Sequence, residues 1–184
     1  MTAPLGSISL AQANLAATLA DCPSFRAWLG LGPDDQAGAL AKIHFEGLPA
    51  PDPAKAVNGT FAVADIMALR PCAVIYTAER QGFLKELEAV GDAFEYRESG
   101  RLVLRLYQNA PESFDDEPTS DANLQFRNWV GRIIDDLCSL SGLPGYLGML
   151  RLSLAAGPFW AHPKAVPAQG CWQGVELAIN WQGV

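Results

Sequence analysis

Apolar positions along the 184-residue chain follow two different periods, and the change falls near residue 60. Leu10, Ala13, Ala17 and Ala20 recur at spacings of three and four, which predicts a helix capped by Ser9 and ended by Cys22-Pro23. Ser24 is the expected cap of a second short helix carrying Phe25, Trp28 and Leu29, which stops over residues 30–33. Residues 34–42 offer a third helical piece, capped by Asp34 or Asp35. Gly47-Leu48-Pro49-Ala50-Pro51-Asp52-Pro53 then places three prolines within five residues. Such a run cannot lie inside a helix or a central strand. It marks the expected boundary between an N-terminal helical segment, residues 1–60, and a second unit, residues 61–184.

The second unit has mostly the period of strands. Cys72-Ala73-Val74-Ile75-Tyr76 is a short β-prone run after Pro71. Gln81-Gly82 and the charged residues after it fit either a turn or a short helix over residues 84–89. Glu98-Ser99-Gly100 has turn chemistry. Residues 101–107 alternate, with Leu102, Leu104 and Leu106 on one face and Arg101, Val103, Arg105 and Tyr107 on the other, which predicts a half-buried strand. Phe126, Val130, Ile133, Leu137 and Leu140 then keep spacings of four, three, four and three. With Trp129, Ile134 and Cys138 widening the stripe, they predict a long helix over residues 121–140, capped by Ser120 or Asp121 and ended by Gly142 and Pro144. Residues 147–154 form the next expected strand. A loop bearing Pro158, Pro163 and Pro167 follows, and residues 172–181 form a last strand with Val175, Leu177, Ile179 and Trp181 on one side. The fold class expected is α/β of the α+β kind. A mainly antiparallel sheet is packed by one long helix and preceded by an N-terminal helical segment.

Composition narrows the function classes. Hydrophobic residues are 49% of the chain and charged residues 18%, which excludes a disordered chain. A chain of this length buries roughly 70% of its unfolded surface and needs no disulfide or metal staple. The net charge of −7 disfavours nucleic-acid binding by bulk electrostatics. Cys22, Cys72, Cys138 and Cys171 form no C-x-x-C pair and are expected to be reduced, mostly buried small apolar residues. Neither a basic, apolar leader nor an apolar run of the ~20 residues that a membrane span requires is present. The expectation is a soluble protein made in a reducing cytoplasm. Asn58-Gly59-Thr60 matches a glycosylation acceptor by chance in that setting.

Chemistry-bearing patterns are few. His44 and His162 are the only histidines, and neither has a second metal ligand at helical spacing. No G-x-S-x-G elbow occurs, and Gly142, Gly145 and Gly148 satisfy neither phosphate-binding glycine pattern. Asp115-Asp116-Glu117 does not have the alternate ligands of a calcium loop, which leaves a solvated acidic loop or a surface for a basic partner. Asp135 and Asp136 are neighbours on a helix, about 100° apart, so they form no carboxylate dyad and are expected to be solvated near Arg132. No catalytic, cofactor-binding or metal-ligating residue is assigned. Four of the five tryptophans lie in the last 56 residues; Trp129 and Trp181 fit a core. Phe159-Trp160, set between Pro158 and Pro163 in the expected loop, are candidate interface anchors. Arg101 and Arg105, with Tyr107, offer a polar interface face.

The order of elements in the second unit is a β-run over residues 71–76, the turn and strand Ser99-Gly100-Arg101-Leu102-Val103-Leu104, an acidic loop, and the helix Asn128-Trp129-Val130-Gly131-Arg132-Ile133-Ile134. A strand, a proline-bearing loop and the strand Val175-Glu176-Leu177-Ala178-Ile179-Asn180-Trp181 complete it. Over residues 65–184 this resembles the tail terminator, or neck, proteins of long-tailed bacteriophages, of the phage lambda minor tail protein U type. Residues 1–60 depart from the compact form of that family. The resemblance implies a structural virion protein and no enzyme. It would form a ring, expectedly a hexamer, bind the tail tube protein to end tube growth, and meet a head-side connector or head-completion protein. It would need no cofactor or membrane, and DNA would only pass through its channel. Asp115, Asp116, Glu117, Phe159, Trp160, Arg101 and Arg105 are the candidate contact residues read from the sequence. Assembly in the host cytoplasm and residence in the virion neck follow. Another head–tail joining protein is the alternative of the same class. A small cytoplasmic enzyme built on Asp115, Asp116, Glu117 and His162, or a ligand-binding module, are the alternatives from other classes.

Overall fold

The computed structural model describes residues 7–77, 84–90, 93–110, 121–140, 150–166 and 170–183. The fold is mixed α/β: a mostly antiparallel sheet, one longer helix and a group of N-terminal helices. Helices α1 (Ser7–Asp21), α2 (Pro23–Trp28) and α3 (Gln36–Leu40) come first. Strand β1 (Ile43–Phe45), a single 3-10 turn (Pro53–Lys55), α4 (Val63–Met67) and β2 (Cys72–Thr77) follow. Then come β3 (Leu84–Val90), β4 (Ala93–Asn109), α5 (Asp121–Leu140), β5 (Leu150–Val166) and β6 (Gly170–Gly183).

Five strands lie side by side in the order β1-β2-β4-β6-β5. Only β1 and β2 are parallel; β2-β4, β4-β6 and β5-β6 are antiparallel. The sixth strand, β3, pairs with the first part of β4. Ser99 is paired with Leu84 on one side and with Gln182 on the other, so β3 continues β2 along the same edge of β4.

The alternation of β4 sorts the two sheet faces. Leu102, Leu104 and Leu106 pair across β6 with Ile179, Leu177 and Val175, and across β2 with Thr77, Ile75 and Ala73. Apart from the exposed Thr77, these residues share one core with Leu15, Leu19, Phe25 and Trp28 of α1 and α2, and with Phe126, Val130, Ile133 and Leu137 of α5. The α5 stripe thus buries as its periodicity requires. On α1 Ala11, Asn14, Leu15, Ala16, Thr18, Leu19 and the expected Ala20 are buried, whereas Leu10 is exposed and Ala13 and Ala17 are half-buried. Two leucines bury more apolar area than two alanines, so the helix turns toward Leu15 and Leu19. Ser9 lies inside α1 and caps nothing there.

Other local expectations shift for identifiable reasons. Asp35 caps α3 by accepting from the Gly38 N–H at 2.8 Å. Cys22 occupies the N-cap position of α2 and Pro23 its first turn; no side chain of α2's own sequence caps it. Residues 84–90 form strand β3, neither turn nor helix. Glu98-Ser99-Gly100 is no turn but the middle of β4, a 17-residue strand. Gly100 is there because the Trp181 indole crosses it: a Cβ would stand 2.7 Å from Trp181 Nε1. Residues 158–163 are likewise no loop. They belong to β5, whose register against β6 shifts three times between Leu154 and Lys164. Prolines are tolerated there because β5 is an outer strand with bulges. Asn58 and Gly59, both with positive φ, form a tight turn closed by the Val57–Thr60 bridge. The expected cap at Ser120 or Asp121 and the stop at Gly142 and Pro144 fall on residues or side chains outside those described.

Candidate functional site

The second sheet face carries Cys72, Val74 and Tyr76 of β2, Arg101, Val103, Arg105 and Tyr107 of β4, and Trp172, Glu176 and Asn180 of β6. One end of it is a small second core of Cys72, Val74 and Tyr107, against which Tyr76 and Trp172 pack. The Tyr107 and Trp172 rings meet edge-on with centroids 5.5 Å apart. Helix α4 lies beside this end, since Met67 fills the space over Gly170 and its carbonyl accepts from Asn109 Nδ2 at 2.9 Å. Tyr107 is therefore buried, and its hydroxyl shares a side-chain hydrogen bond with Arg105. Burial pushes its hydroxyl up to about 12, with Tyr76 adding to the shift and Arg105 opposing it.

The other end of the face meets solvent. Arg105 donates from Nε to Glu176 at 2.8 Å across the β4–β6 pair, and its guanidinium lies 4.8 Å from the Tyr76 ring centroid. The two ion-pair side chains are 43% and 36% exposed, so solvent screens the pair and it adds under about 1 kcal/mol to stability. Arg101 donates from Nε to Asn180 Oδ1 at 3.1 Å. Phe159 stands opposite Glu176 on β5 and is 55% exposed. Its neighbour Trp160 points to the opposite face, because adjacent strand residues alternate. The Trp160 ring packs edge-on against Phe126 at 5.8 Å and lies under the Arg127 guanidinium at 5.2 Å. The Phe159-Trp160 pair is thus divided between surface and core. Asp115, Asp116 and Glu117 lie outside the described residues.

His44 is in β1 beside Val74, and burial followed by the charge of Lys42 lowers its pKa below the ordinary imidazole value. His162 lies in β5, where its side chain is outside those described. Among the described residues, no three His, Cys, Asp or Glu side chains gather to hold a metal ion. Also among them, no helix is long and apolar enough to cross a membrane. All four cysteines are thiols. Burial raises Cys72 to about 11 and pushes Cys22 up as well, where the Asp136 charge adds to it. Cys138 is exposed, because it sits on the solvent side of α5 and does not widen the stripe. Asp136 is not simply solvated: its Oδ2 accepts from the Ser24 N–H at 2.8 Å. It supplies, from α5, the cap that α2 lacks. Arg132 lies 5.4 Å from the Trp129 ring centroid.

A cleft opens where the start of β2, the end of β4, α2 and α5 converge. Its volume is about 300 Å³. The rings of Trp28, Phe126 and Trp129 line it together with Pro71 and the amides of Gln108 and Gln125. Trp28 donates from Nε1 to Gln108 Oε1 at 3.0 Å, which leaves the Gln108 amino group as a donor. The sequence reading missed this cleft. Trp28, Gln108 and Trp129 are far apart in the chain, and only the seating of α2 and α5 against the end of β4 brings them together.

No protein-family model matches the chain, and no curated protein matches it.

Proposed function

We propose that the chain is a structural protein of the neck of a long-tailed bacteriophage, a tail terminator that closes into a ring, ends tail-tube growth and joins tail to head. The likeness of element order over residues 65–184 suggests the reading. The observation that carries it is the solvent-facing end of the second sheet face. There a large apolar side chain, Phe159, stands opposite Glu176, which pairs in turn with Arg105 on β4, and on the same face Arg101 is bonded to Asn180. Exposed aromatic and arginine side chains on a rigid sheet are favoured anchors of protein interfaces. In this reading that surface meets the tail tube protein, and a separate surface meets the head-side connector or head-completion protein. The ring channel lets DNA through without holding it, in keeping with the net charge of −7. No cofactor and no catalysis are required.

Purified protein mixed with tail tubes tests this reading in electron microscopy. The expected result is a density capping one end of each tube, and no further tube growth when subunits are added. Phe159→Glu should abolish capping while leaving the far-UV spectrum unchanged. Tubes that stay bare and keep growing in the presence of the protein would overturn the reading.

A further inference from the structure

Strand β3 and the first part of β4 make a ribbon that runs past the end of the sheet. Residues 93–98 of β4 pair with β3 alone, since the pairing of β4 with β6 begins at Ser99. A two-stranded ribbon is marginal in water by itself and gains from a third strand. Among the described residues, β3 pairs only with β4 and β5 only with β6, so each keeps an open edge, and the two edges lie on opposite sides of the sheet. Edge strands that must stay single carry prolines or bulges, or are very short. The later part of β5 has prolines and register shifts, and β1 is three residues long. Residues 84–90 and 150–154 have neither a proline nor a register shift.

The two edges match each other. Strand β3 is antiparallel to β4, β4 to β6 and β6 to β5, so β3 and β5 run in opposite directions. A second copy set beside the first in the same orientation brings its β3 antiparallel onto β5 and continues the sheet. Directly opposite residues share a sheet face. Glu86 stands opposite Arg97, and Glu88 opposite Glu95, on the face of Arg101. Arg151 stands opposite Gln182, which stands opposite Ser99, so it takes the same face. Leu87 and Ala89 stand opposite Tyr96 and Phe94 on the face of Leu102, which is also the face of Leu150 and Leu152. The directly opposed Glu88 and Glu95 are like charges, which cost stability within one chain. Residues 150–166 carry Arg151 and Lys164 and no acidic residue.

We propose that β3 of one copy adds as a strand to residues 150–154 of β5 of the next copy, with Leu87 opposite Leu152. That register sets Ala89 opposite Leu150 and Glu88 opposite Arg151, which gives the Glu88–Glu95 row a cation. Apolar positions then meet on one face and opposite charges on the other. Residues 150–154 span roughly 17 Å of such pairing. The joint uses two different edges, so it is heterologous and propagates head to tail until it closes. The inference rests on the ring proposed above for its closure and names the strands that tie its subunits.

Two full-length variants test it by light scattering after gel filtration. Glu88→Arg sets two cations opposite each other at the joint, and Arg151→Glu sets two anions there. Each variant alone should self-associate roughly threefold to tenfold more weakly than the parent chain. An equimolar mixture should regain the parent's association, because every joint between the two variants pairs opposite charges. Hydrogen exchange reads the same joint in the parent without a substitution: the amides of residues 84–90 and 150–154 should exchange more slowly as the concentration rises. Single variants that assemble like the parent, a mixture no better than its components, or exchange that ignores concentration at both strands would each overturn the inference. Rings of both variants that still cap tubes would overturn it and leave the neck reading standing. Variants and mixture behaving as expected, with parent rings that ignore tail tubes, would overturn the neck reading and keep the inference.

Discussion

At Gly100 the absence of a side chain decides how two strands pack. The Trp181 indole crosses β4 over it, and a methyl group would meet Nε1 at 2.7 Å. Gly100→Ala should therefore cost about 1–3 kcal/mol by overpacking, read as a lower urea midpoint with an unchanged slope. A midpoint equal to that of the parent would contradict the placement of Trp181. Asp136 acts at a distance of 112 residues in the chain by capping α2 through the Ser24 N–H. Asp136→Ala should cost about 1 kcal/mol, and Asp136→Asn less, because an amide oxygen still accepts. His44 has a sign that can be worked out. Its folded pKa is lowered, first by burial and then by Lys42. Between that value and the ordinary value of about 6.5, the unfolded chain binds the proton and the folded chain does not. His44 should therefore make stability fall as pH drops below about 6.5, and His44→Gln should flatten that part of the profile. Equal profiles for parent and variant between pH 7 and pH 5 would show that His44 is not held neutral.

At the scale of elements, legibility in the sequence followed the strength of a period. Helix α5 was readable because Phe126, Val130, Ile133 and Leu137 leave no other face to bury. The second half of β4 was readable because three leucines alternate with polar residues. The first half was not, since Glu98-Ser99-Gly100 has turn composition and only the cross-strand Trp181 explains the glycine. The second part of β5 was hidden by its prolines. An outer strand with bulges has no need of every N–H, so proline there does not mean a loop. Of the candidate contact residues, Phe159 and Trp160 were legible as a pair but not as residues on opposite faces, a consequence of the two-residue period of the strand. The Arg105–Glu176 pair depends on a register that no single strand encodes. Thiol labelling checks the seating of these elements together. At neutral pH Cys138 on α5 should react with iodoacetamide, while Cys22, Cys72 and Cys171 stay protected until the chain is unfolded. Rapid labelling of Cys72 in the native protein would mean that the second sheet face is not covered at the Tyr107 end.

At the scale of the whole molecule, one face of the sheet is closed by helices and the other is closed only in part. That asymmetry turns the 49% hydrophobic content into two allotments, a shared core of α1, α2, α5 and the sheet, and the apolar residues left outside it. Phe45, Leu48, Val57 and Phe159 belong to the second group. Burial keeps the Cys22 and Cys72 thiols protonated, while these four apolar side chains stay in solvent, where the proposed neck protein would meet its neighbours. The most direct measurement of the central claim is the mass of the purified chain in solution, followed by particle images of the same sample. A single species at a fixed multiple of 19.7 kDa, seen as closed rings, is the predicted result. A 19.7 kDa monomer that persists as concentration rises, with no ring in the images, would contradict the account.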